Sequence, residues 1–178
     1  MKRQRNIVLF LVKFFATYFI LFVVYSIYLQ NTQQHGDVFS CSPLTTAVAE
    51  QTEAVLTFFG YDVAHMQHEN EMSVKLLLNG QYVARVIEGC NSFSVIILFL
   101  SFIIAFSGNV KATVLYGLIG SLLIYGMNIL RIAFLTVMLY EFPNQEKVLH
   151  NLVFPVIIYG FTFLLWVIWV QKFSKYKK

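Results

Sequence analysis

The sequence predicts an all-α integral membrane protein: four transmembrane helices carrying a small extracytoplasmic α/β insert, made of an amphipathic helix plus a β-hairpin. Three observations lead there. The chain of 178 residues is 58% hydrophobic and only 12% charged, too apolar for a soluble domain of this size. Its apolar runs are separated by polar stretches, of which 31–90 is the only extended one. Lys2, Arg3, Arg5, Lys111, Lys172, Lys175, Lys177 and Lys178 gather at the N-terminus, one turn and the C-terminus, while all nine acidic residues lie elsewhere. The net charge of +4 does not point to nucleic acid, because these residues form short clusters beside apolar runs and no basic stripe with interleaved aromatics. The length fits one domain, 1–178.

The first apolar run, 7–29, crosses a hydrocarbon core of about 30 Å at about 1.5 Å per residue. Lys13 lies near its basic end, where its stem can snorkel to water. A cleavable signal peptide has a shorter apolar core and a small-residue site, and neither is present around Leu29. Val38-Phe39-Ser40-Cys41 has the outline of a lipoprotein cleavage box but lies well beyond the apolar run. In the insert, Ser42-Pro43 predicts a helix start and Gly60 its stop. Between them Leu44, Val48, Val55 and Phe59 recur at near-helical spacing. After Gly60 the period becomes two: Met72, Val74, Leu76 and Leu78 alternate, and Asn79-Gly80 signals a two-residue hairpin turn. That turn pairs Leu78 with Gln81, Leu76 with Val83, Val74 with Arg85 and Met72 with Ile87.

The second helix covers about 92–106, short but supplemented by its interfacial flanks, and 107–111 forms a tight turn. The third covers 112–135 and stays apolar to Tyr140, interrupted by Asn128 and Arg131. It is longer than one crossing needs, so it tilts or its last turns leave the bilayer. After a polar stretch with Pro143 and His150, the fourth helix covers 152–170, with Trp166 and Trp169 where an aromatic belt is expected.

The positive-inside rule places both termini and the 107–111 turn in the cytoplasm, and 31–91 and 141–151 outside. Arg131 then lies about 30 Å along the helix axis from Lys111, at the outer edge of the hydrocarbon. Cys90 starts the second helix and His150 precedes the fourth, both at that same face. An arginine near hydrocarbon normally faces the bundle interior or a polar cavity, and Asn128 lies one turn before it on the same side.

A thiol attacks as its thiolate, which a neighbouring cation favours. Arg131 cannot act as a base but can donate hydrogen bonds to a tetrahedral oxyanion. A histidine takes a thiol proton and returns it to a leaving amine. Cys90, Arg131 and His150 together suit acyl transfer through a thioester, with Asn128 and Glu88 as supporting residues.

Here the chain resembles a family. Glu88-Gly89-Cys90-Asn91-Ser92 at a helix start, Asn128-Ile129-Leu130-Arg131-Ile132 in the next helix and His150 before the last are similar to the Cys, Arg and His motifs of the exosortase/archaeosortase family, especially its short F-type members. The resemblance covers about 60–170. It implies a membrane cysteine transpeptidase that recognises exported proteins by a C-terminal signal of short motif, transmembrane helix and basic cluster. It also implies cleavage near the motif and acyl transfer to a surface acceptor, at the outer face of the bacterial inner membrane. No cofactor or metal is implied. Many members read Ala-Cys-Ser-Gly where this chain has Gly89-Cys90-Asn91-Ser92, and long members have more helices.

Two readings from other classes remain at this stage. One is a non-catalytic assembly or anchoring factor, in which the same residues only hold helices together. The other is a thiol oxidoreductase using Cys41 and Cys90, which lacks the close redox pair such enzymes use. His65, His68 and Glu69 are expected at the surface, in a strand-and-turn region, and His35 and Asp37 in a solvated loop.

Overall fold

A computed structural model describes residues 2–33, 40–106, 108–145 and 152–173. Helices dominate it. Among the described residues, α1 (Lys2–Thr32), α4 (Val110–Glu141) and α5 (Phe154–Lys172) are long and apolar enough to cross a membrane. The remaining apolar helix, α3 (Phe93–Ala105), has 13 residues, about 20 Å at the usual helical rise and short of a full hydrocarbon core. Its bounds fall within one residue of the short second helix that the sequence predicts. Its start is held by the Cys90 motif, and soon after its end the Asn109 side chain accepts a bond from the Lys111 amide (3.2 Å) and caps α4.

Lipid does not drive helices together by hydrophobicity, so packing must. Phe99 and Ile103 of α3, Ile124 of α4 and Ile158, Leu165 and Trp169 of α5 form one buried cluster. Gly120 permits the α3–α4 approach, since a β-carbon there would lie 2.3 Å from the Phe99 ring. α1 lies against α3 through Phe10, whose ring is 5.9 Å from Phe102 and 4.7 Å from Phe106, and through Tyr25 stacked on Phe93. The rest of α1 is largely exposed, as lipid contact requires.

The insert begins with α2 (Pro43–Phe58), capped by Ser42, whose side chain accepts from the Thr45 amide (3.4 Å). Gly60 ends it at φ +89, with Tyr61 N–H donating to Leu56 O and Gly60 N–H to Thr57 O, the pairing of a Schellman stop. Both ends lie where the sequence predicts. Three antiparallel strands follow, β1 (Val63–Gln67), β2 (Ser73–Leu78) and β3 (Gln81–Ile87), in that spatial order, one more than the hairpin. The Asn79-Gly80 turn is present, with φ of 51 and 76.

The pairing needs correction. Leu78 faces Gln81 as predicted, but an irregularity between Leu76 and Leu77 leaves Val83 without a partner, so Leu76 faces Ala84, Val74 faces Val86 and Ser73 faces Ile87. The reason is burial. In the regular register Arg85 would share the covered face with Val74 and Leu76. The bulge instead sends Arg85 outward opposite Lys75, where Glu71 and Glu69 meet the two cations, and turns Ala84 and Val86 inward.

The last turns of α4 carry this insert. Ile132 packs with Val48, Ala49, Val74, Leu76 and Val86, while Ala133, Val137 and Tyr140 pack with Leu56, Val63 and Leu78. At 32 residues α4 is about 48 Å long, so the turns beyond one hydrocarbon thickness are covered by the protein itself.

Candidate active site

β3 runs directly into a 3-10 turn, Glu88–Cys90, and then into α3. Three elements hold this corner. Asn128 of α4, 1% exposed, donates from Nδ2 to the Cys90 carbonyl (2.7 Å). Asn91, fully buried, donates to the Tyr25 hydroxyl of α1 (2.7 Å) and to Thr45 Oγ1 of α2 (3.2 Å). Its Oδ1 accepts from the Phe93 amide (3.1 Å), supplying the cap for α3.

Glu88 closes the corner from the other side. Its carboxylate accepts from the Ser42 amide (2.6 Å), the Ser42 hydroxyl (2.8 Å) and the Thr45 hydroxyl (2.5 Å). An anion at a helix N-terminus is favoured both by free amides and by the helix dipole. Glu88 thus ends β3 and anchors α2, and its bonds among the described residues go there and not to Arg131.

Cys90 is half-buried and lines a cavity of about 160 Å³ together with Gly89, Ser92, Asn128, Arg131, Phe154, Pro155 and Tyr159. The Arg131 guanidinium lies 4.3 Å over the Phe154 ring, a cation–π contact that holds it at the cavity wall. It is close enough to Cys90 for the two side chains to interact, yet its Nε is buried and has no hydrogen-bond partner among the described residues. The wall is otherwise mainly apolar. A cation in such a setting strongly stabilises negative charge that develops beside it.

The expected trio is therefore brought together in two of its members, Cys90 and Arg131, with Asn128 beside them. His150 lies outside the described residues, as do His35 and Asp37. A family model for transmembrane exosortases matches residues 7–170, most of the chain. The chain belongs to the transmembrane exosortase family. Membership in this family of protein-sorting transpeptidases, together with the apolar spans, makes this exosortase an integral membrane protein. No curated protein and no solved structure matches it.

Other residues of this exosortase have different settings. Cys41 is 4% exposed within the insert core, and burial raises its thiol pKa; a bond to Gln67 opposes this and the Glu88 charge adds to it. Both cysteines are free. His65 contacts Glu53 through Nδ1 (2.5 Å), and the His68 ring lies edge-on to Tyr82. Sequence reading missed Phe154, Tyr159, Ser92 and Asn91 as parts of the corner. The one available signal was that Asn91 and Ser92 adjoin Cys90, since an aromatic after a polar loop reads as ordinary membrane content.

Proposed function

We propose that this exosortase is a short F-type cysteine protease and transpeptidase, which cleaves the C-terminal sorting signals of exported proteins and transfers the acyl group to a surface acceptor. The observation that carries this is the single cavity shared by Cys90 and Arg131, with the Cys90 carbonyl fixed by Asn128. In this reading the Cys90 thiolate adds to a peptide carbonyl, and Arg131 stabilises the oxyanion. Collapse breaks the C–N bond, and the amine leaves with the proton that His150 took from Cys90. The acceptor nucleophile, or water, then resolves the thioester.

The same reading sets the protein in the bacterial inner membrane with both termini cytoplasmic, and α3 counted as a fourth, short crossing. Measured from Lys111 at the inner surface, Arg131 then lies about 30 Å up α4, at the outer rim where a sorting signal would present its motif. The substrate's transmembrane helix and basic cluster would stay in and under the bilayer.

The test is intact-mass comparison of a candidate substrate's C-terminus in cells with the native enzyme and with Cys90→Ala. Loss of processing, with the variant still expressed and inserted, is the expected result. Unchanged processing removes the enzyme reading and leaves the assembly-factor one.

A further inference from the structure

We infer that Ser92 is a second oxyanion donor of this site, its hydroxyl acting with the Arg131 guanidinium on the oxygen of the carbonyl that Cys90 attacks. The inference rests on the acyl-transfer reading above. It begins from a serine at a helix N-cap that does not cap. Serine is favoured there because its oxygen accepts from the first free amides. Ser92 makes no such bond, and Asn91 Oδ1 takes the Phe93 amide in its place.

The Ser92 backbone explains the difference. Its φ of 66 and ψ of −8 are left-handed, a conformation that is unfavourable for a residue with a β-carbon. Such outliers persist where the surroundings over-determine them, and they concentrate at functional sites. Here the corner is over-determined by the bonds from Tyr25, Thr45 and Asn128. The left-handed turn removes Ser92 from its capping role and makes it part of the Cys90 cavity.

Burial completes the case. Ser92 is 3% exposed, and its Oγ has no hydrogen-bond partner among the described residues. Arg131 Nε is in the same condition, and both residues line one cavity with the nucleophile. A buried hydroxyl left unpaired is unfavourable, so two unpaired donors on residues that line the same cavity as Cys90 point to an acceptor oxygen that arrives with the substrate. In the step itself the sulfur bonds to the carbonyl carbon and the π pair moves to oxygen. The oxyanion takes hydrogen bonds from Ser92 and Arg131 until the C–N bond breaks and the C=O re-forms.

The experiment compares two reactions of Cys90 in the full-length protein in detergent. Acetylation by p-nitrophenyl acetate passes through an oxyanion, whereas alkylation by iodoacetamide does not. Both are followed by intact mass, with peptide mapping to assign Cys90. Ser92→Gly removes the hydroxyl and suits the left-handed backbone, and Ser92→Ala removes it while keeping the strain. Both variants should acetylate about a hundredfold more slowly than the native protein and alkylate at the native rate.

Equal acetylation in native and Ser92→Gly protein overturns the inference. So does an equal fall in both reactions, which would mean that Ser92 only shapes the corner. A native protein that alkylates but never acetylates removes the acyl-transfer reading itself, and the Ser92 role with it.

Discussion

Cys41 and Cys90 carry the same thiol in opposite settings, one sealed in the insert core and the other at a cavity wall. In folded protein at pH 8, iodoacetamide should therefore modify Cys90 and spare Cys41, with Cys41 reacting only after denaturation. Modification of Cys41 in the folded state would contradict its burial. The pH dependence follows from the same burial. The folded-state pKa of Cys41 is raised, so its contribution to stability is present below the unfolded thiol value, about 8.5, and is lost as pH rises through the folded value. Melting temperature should fall above about pH 9, and Cys41→Ala should flatten that fall. At this scale the juxtaposition of Cys90, Arg131 and Asn128 was legible in the sequence, because a polar residue in or beside an apolar run has few uses. The place of Ser92 and the bonding partners of Glu88 were not, since one depends on a backbone angle and the other on a helix start 46 residues away.

The hairpin shows how an element can be read correctly and its register missed. Strand alternation and Asn79-Gly80 locate β2, β3 and the turn, but both registers satisfy those signals. Only burial of the whole sheet against α2 and α4 decides, because it penalises Arg85 on the inner face. Val86→Asp should accordingly lower stability by on the order of 3–5 kcal/mol, placing an unpaired charge in the core, while Ile87→Asp should change it little. Thermal unfolding of the two variants measures this, and the regular register predicts the reverse order. Strand β1 was read only as part of a strand-and-turn region, since His65, Gln67 and His68 give it no strong apolar alternation. The α2 boundaries were legible because caps are local chemistry.

For the molecule as a whole, membrane class, helix order and the short α3 follow from the sequence, whereas the support of the insert by α4 is a tertiary fact. The proposed orientation, with both termini cytoplasmic, makes its own prediction. In a Cys90→Ala background, Glu69→Cys should react with a membrane-impermeant maleimide in spheroplasts, and Lys111→Cys only after permeabilisation. Labelling of Lys111→Cys without permeabilisation would invert the topology. α4 has a larger consequence, because one unbroken rod bears Asn128 and Arg131 about two-thirds of the way along and the sheet and α2 on the turns that follow. A thicker or thinner bilayer can change how far that rod leans, but Cys90, Arg131 and the roof above them lean with it. The two side chains then keep their mutual geometry while only their height above the lipid changes, and a host membrane can vary in composition without reshaping the cavity.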